Sequence, residues 1–120
     1  MEFAGRQHRF LFTVNVIDDL QEHYNAPLGD ILNMIVKPKP EEKVKVYSVL
    51  RRVIKSLTDD SVEGHNDLSS EKWEYLSERA IGRLITPANK AELVDLIFAT
   101  FKGSLPSPKE NEADPPTSGQ

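Results

Sequence analysis

Asp59, Ser61, Glu63 and Asp67 stand at ligand-like positions of a calcium-binding loop, with Gly64 where such a loop turns sharply. The chemistry would be capture of a hard divalent cation by oxygen ligands. The twelfth position, which needs a bidentate glutamate, is Ser70, and the eighth, normally apolar, is Asn66. The stretch therefore reads as a solvated polar loop over 59–68. His8, His23 and His65 fall in three separate elements, and no two stand three or four residues apart, the spacing that sets a zinc-binding pair on one helical face. The chain has no cysteine, which excludes disulfides and thiolate metal ligands. Asp18, Asp19 and Glu22 are carboxylates near a helix start, where the helix dipole accounts for them without catalysis. No Gly-x-Ser-x-Gly turn and no glycine-rich phosphate loop occurs. The expectation is a non-enzyme with no catalytic, cofactor-binding or metal-binding residue.

One charged stretch invites a different chemistry. Lys37, Lys39, Lys43, Lys45, Arg51, Arg52 and Lys55 face only Glu41 and Glu42 over 37–55. Lys45, Ser48, Arg52 and Lys55 share the helix face opposite an apolar stripe, and a basic face can follow a phosphate backbone. A core-facing helix must nevertheless carry a polar outer face, and no helix-turn-helix turn or stacking pattern of aromatics accompanies this one. The net charge of −4 also opposes non-specific nucleic-acid binding by the whole chain.

The elements that would position these residues are mainly helical. An apolar run, Phe10, Leu11, Phe12 and Val14, predicts a strand over 9–14, paired with residues 2–7 through a turn near Gly5. A first helix follows over 16–24, capped by Asn15, with Asp18 in its first turn and Ile17, Leu20 and Tyr24 on one face. After the break at Asn25, Ala26 and Pro27, a second helix carries Leu28, Ile31, Leu32 and Ile35, with Pro27 at its first position, and the prolines of 37–40 end it. The third and longest helix, over 41–58, has a broad stripe of Val46, Tyr47, Leu50, Val53, Ile54 and Leu57. Ser69 is expected to cap a fourth helix carrying Trp73, Leu76 and Ala80 and ending near Gly82, with Leu68 and Trp73 as a hydrophobic staple. Thr86 and Pro87 signal a fifth, with Val94, Ile97, Phe98 and Phe101 on its apolar face and Gly103 as its stop. Phe98 and Phe101 belong either to the core or, beside Leu105, to an exposed patch for a protein partner.

A single domain over 1–103 is thus expected, a small bundle of about five helices with a short N-terminal strand or hairpin. Residues 104–120 hold four prolines and three acids against Lys109, and read as a disordered acidic tail of net charge −2, which leaves the body nearly balanced at −2. No apolar run approaches the roughly 18 residues that cross a bilayer, and the first ten residues lack a signal pattern.

In order, the features are similar to those of the tail assembly chaperones of long-tailed bacteriophages and prophages. The likeness rests on RFLFTVNVIDDLQEHYNAPLGDIL at the start, a mid-chain helix ending near LRRVIKSL, a polar loop leading to EKW, then IGRLITPANKAELVDLIFATF, GSLP and the acidic tail. It spans about Arg9 to Pro106. What the resemblance implies is a non-enzymatic assembly factor in the cytoplasm of the bacterial host. It would bind the tape-measure protein, keep its apolar helices from aggregating, help recruit tail-tube subunits, and be absent from the mature virion. Many members are made in two lengths by a translational frameshift. The family offers no catalytic residue to carry over and no specific partner-binding motif. The expected partner is protein, with self-association left open, and neither nucleic acid nor a membrane. The alternative expectation is a small regulatory DNA-binding protein of a mobile element using the face of Lys45, Arg52 and Lys55.

Overall fold

The computed structural model describes residues 2–105; the expected tail from Pro106 onward lies outside the described residues. The chain opens with a minimal antiparallel hairpin, β1 (Glu2–Phe3) and β2 (Arg6–Gln7), in the register Glu2 to Gln7 and Phe3 to Arg6. Ala4 and Gly5 turn it with φ of 54° and 78°, the left-handed pair that a two-residue hairpin loop requires. The strand predicted over 9–14 does not form. Its period of two is real, since His8, Phe10 and Phe12 are buried while Arg9 is exposed. Among the described residues the only other strands are β1 and β2, which pair with each other and end at Gln7. Side-chain hydroxyls take its donors instead: the Arg9 N–H reaches Ser61 Oγ at 3.1 Å, and the Phe12 N–H reaches Ser104 Oγ at 2.9 Å. Ser104, assigned to the tail by composition, is therefore part of the domain.

Helix α1 (Val14–Tyr24) begins two residues earlier than expected. Its cap is Thr13, whose Oγ1 accepts the Val16 N–H and donates to Asp60, so Asn15 lies inside the helix and Asp18 beyond its first turn. Asn25 ends α1 at φ 50°, and Gln21 Oε1 accepts the Leu28 N–H across the break. In α2 (Leu28–Val36) the four predicted apolar residues are all buried. Pro27 stands one place before the helix as its cap. The prolines of 37–40 give way to a 3-10 turn over Pro40–Lys45, and only then does α3 (Val46–Leu68) start.

Helix α3 is the centre of the fold. Leu50, Val53, Ile54 and Leu57 are at most 1 % exposed, and α1, α2 and α4 all pack against it. It runs ten residues past its predicted end, through the stretch read as a loop. Burial explains the extension: Thr58, Ser61 and Val62 continue the stripe at helical spacing, with Val62 wholly enclosed. Polar residues after them act as tethers. Asn66 accepts the Trp73 N–H at 2.8 Å and donates to the Trp73 carbonyl at 3.0 Å, and Lys72 reaches back to the Asn66 and Ser69 carbonyls at the helix end.

These bonds hold residues 69–76 as an irregular strap along α3 where a fourth helix was predicted. Ser69 accepts the Glu71 N–H in a local turn, and Leu68 is 93 % exposed, so neither the cap nor the staple forms. Helix α4 is a single turn and a little more (Glu78–Gly82), capped by Ser77 through the Ala80 N–H. Thr86 does not cap α5 (Lys90–Gly103) directly: residues 87–89 form a turn in which Asn89 accepts the Thr86 N–H and donates to the Leu84 carbonyl. Leu93 and Ile97 bury this last helix, and the Phe101 ring meets Phe12 edge-on at 5.8 Å.

A clasp joins the N-terminus to α3. The His8 ring is buried with its Nδ1 2.9 Å from Ser61 Oγ, and the ring contacts Phe10 and Trp73. Burial first, and then the charge of Arg6, lower the His8 pKa below its ordinary 6.5. Between that lowered value and 6.5 the unfolded chain binds the additional proton, so stability is complete above 6.5 and falls as the pH drops through the window. Unfolding midpoints measured across it should decline in the native chain, and His8→Gln should flatten the part of the decline above the carboxylate range. An equal slope in both proteins would remove His8 as its source. Asn66→Ala should cost about 1–3 kcal/mol for its two lost bonds. Limited proteolysis should then cut within 69–77 before the rest of the domain opens.

Candidate partner-binding surface

Two open hollows meet at Pro87. One, of about 390 Å³, lies between the start of α3 and the chain after α4, lined by Tyr47, Ser48, Arg51, Gly82, Ile85 and Pro87. The other, of about 370 Å³, lies between the end of α2 (Ile35, Val36) and the start of α5 (Lys90, Ala91, Val94, Asp95). Lys90 joins them, with Nζ 5.5 Å from the centre of the Tyr47 ring. The result is one groove, walled by the C-terminal end of α2, the first turns of α3 and α5, and the link between α4 and α5.

Local sequence explains why the groove stays open. Tyr47 was predicted on the core stripe, yet it is 43 % exposed beside the buried Val46 and Leu50. The 3-10 turn sets the start of α3 so that the stripe passes through Val46, Val49 and Leu50 and leaves Tyr47 on its margin. Val36, the last residue of α2, is equally exposed. Gly82 leaves room for the Arg51 side chain to lie across α4, since a Cβ there would come within 3.3 Å of Arg51 Cδ.

The basic face proposed for phosphate contact is differently employed. Arg52 pairs with Asp19 of α1 at 2.9 Å, and Lys55 pairs with Asp59 at 2.8 Å while donating to the Leu76 carbonyl. Both side chains are mostly covered and tie α3 to α1 and to the strap, so they do not present a track of cations to a nucleic acid.

A further hollow, about 420 Å³, lies on the opposite half of α3, bounded by Arg9, Leu11, Gly64, His65, Leu68 and Trp73. Here the fold gathers two histidines that the sequence separates. His65 stacks on Trp73 with ring centres 3.6 Å apart, His8 meets the same ring edge-on, and the Arg6 guanidinium lies 5.2 Å from its centre. Ser61 and His8 lie within hydrogen-bond distance, as a nucleophile and base would. Ser61 Oγ also accepts the Arg9 N–H, and both side chains are buried, which makes the pair a structural clasp. His23 stands apart on α1 against Tyr24.

The carboxylates of the imitated calcium loop do not converge, because residues 59–68 are helical. Asp59 meets Lys55, Asp60 meets Thr13, and Glu63 accepts the Tyr75 hydroxyl, a bond that raises the Tyr75 pKa. Burial raises that of Tyr24. Among the described residues no group of three histidine or carboxylate side chains is placed to hold a metal ion, and no helix is long and apolar enough to cross a membrane.

Sequence reasoning assigned no partner-binding residue. The signal for Tyr47 was present only as a stripe too wide for one packing face; Ile85 drew no reading, and Pro87 was read only as the first turn of the fifth helix. Phe98 and Phe101, left open between core and patch, are half-buried against the core. Compared with known proteins, the chain matches no family model, no curated protein and no solved structure.

Proposed function

We propose that this protein is a non-enzymatic assembly chaperone of the long-tailed phage type, which holds apolar helices of a tape-measure client and assists tail-tube assembly. The observation that carries the reading is the open groove along Val36, Tyr47, Ile85 and Pro87, where a well-packed helical domain leaves apolar side chains uncovered. A groove between helices is a common seat for an amphipathic helix, which lays residues at spacings of three and four into successive hollows. Each large side chain fully buried there contributes about 1.5–3 kcal/mol. Three such anchors supply about 4.5–9 kcal/mol before the cost of association, about 4 kcal/mol or more, is subtracted, so the complex is weak and reversible. Reversibility suits a holding role, since the client must later be released to the growing tube. The order of sequence features shared with the chaperone family supplies the biological setting.

Co-expression with the tape-measure protein encoded nearby tests the proposal. The client should remain in the soluble fraction and co-purify with this chain, and Val36→Glu combined with Tyr47→Glu should abolish both effects while the helical content is retained. A client equally insoluble with and without the chaperone, and no complex on purification, would overturn it.

A further inference from the structure

The cations of the groove differ from those elsewhere on the same helix. Arg52 and Lys55 each have a carboxylate within 2.9 Å. Arg51 and Lys90 have none within ion-pair distance among the described residues, Arg51 lining one of the two adjoining hollows and Lys90 the other. Arg51 Nε is closed off from solvent without a hydrogen-bond partner, its stem laid over Gly82. Lys90 is held over Tyr47, and the exposed Ser48 lines the same hollow as Arg51. Asp95 lines the far end of the cleft, and Glu78 shares the surroundings of Tyr24 with Arg51 and Arg52; among the described residues neither acid forms an ion pair.

We infer that Arg51 and Lys90 form an anion clamp that selects, among apolar helices, those carrying an aspartate or glutamate beside the apolar face. This inference rests on the client-holding reading and names the chemistry of the client at that same groove. A carboxylate entering between Ile85, Pro87 and Tyr47 leaves water for a site where a guanidinium and an ammonium are already positioned. Charge-assisted bonds of this kind are about twice as strong as neutral ones, and arginine can grip a carboxylate through two parallel N–H groups. A protein carboxylate fits better than a phosphate backbone. Arg51 lines the hollow that Tyr47 walls, Lys90 lies over the same Tyr47 ring, Ile85 and Pro87 supply apolar walls, and Asp95 would repel a polyanion continuing along the groove. Since the chain as a whole carries −4, attraction of an acidic segment has to be local, and salt should weaken it.

The test uses the full chain and fluorescein-labelled amphipathic peptides of about 20 residues. Their apolar residues recur every three or four positions, and they differ only in one residue beside that face, Glu or Gln. Fluorescence anisotropy at low salt should show the Glu peptide binding about tenfold more tightly. The preference should shrink as salt rises. Arg51→Met and Lys90→Met should each erase most of it, read as the ratio of the two peptides' affinities within each variant, and Ser48→Asp, which sets a rival carboxylate in the groove, should do the same. Circular dichroism checks that the variants remain folded. Equal affinity for the two peptides overturns the clamp and leaves the holding role standing. Failure of both peptides to bind overturns the groove as a seat for helices, and a negative co-expression result would then remove the holding role as well. Displacement of the Glu peptide by a short DNA oligonucleotide at lower concentration than by unlabelled Glu peptide also overturns the assignment, in favour of a phosphate site.

Discussion

The burial of one face and both flanks of α3 is the constraint that the rest of this structure obeys. A helix normally buries a single stripe, but here Val46, Val49, Leu50, Val53, Ile54 and Leu57 cover an arc wide enough for three partners. Helices α1 and α2 lie against it and against each other, and α4 closes a third side. None of these is long enough to be stable alone in water, since isolated helices below about 12–15 residues are marginal. Their order is therefore conferred by contact with α3. The same dependence reaches the N-terminus, because residues 8–13 have no strand partner and take their hydrogen bonds from Ser61 of α3 and from Ser104 just after α5.

That dependence explains which parts of the molecule the sequence discloses. Where an element follows its own periodicity and ends on proline or glycine, as α2 does with Leu28, Ile31, Leu32 and Ile35, local residues suffice to define it. The same is true of the stop of α5 at Gly103 and the turn at Gly5. Residues 59–76 behave differently. Their composition is polar, which is what makes 59–68 read as a loop, yet that stretch is helical. The chain stays helical to Leu68 because Val62 and Ser61 find a covered face, and the next eight residues stay irregular because Asn66, His65 and Lys72 fix their backbone from the side. Contacts between segments distant in the chain decide both outcomes, and no window of sequence contains them. The cap of α1 is a finer case. Asn15 and Thr13 are both competent caps, and Asp60, which accepts the Thr13 hydroxyl, favours the second.

The groove was hidden for a related reason. Its walls come from four places in the chain, and each contributes residues that look like ordinary core or ordinary surface when read alone. Tyr47 belongs to the stripe by spacing, and Arg51 belongs to the polar face by type. Only the position of α3 relative to α5 shows that Tyr47 lies at an edge and that Arg51 points across Gly82 into a cleft.

The attachment of α5 decides how firmly that side of the groove is held. Its C-terminal end is fixed by the Phe101–Phe12 ring contact and by Ser104, which both accepts the Phe12 N–H and donates to Thr100. Leu93 and Ile97 hold its middle in the core. Its first turn, which forms a wall of the groove, touches α3 through Lys90 over Tyr47, an interaction worth about 0.5–1 kcal/mol at an exposed site. The groove's wall on α5 is therefore held chiefly by the buried Leu93 and Ile97 and by the ring contact at its far end, and the Lys90–Tyr47 contact adds little to it.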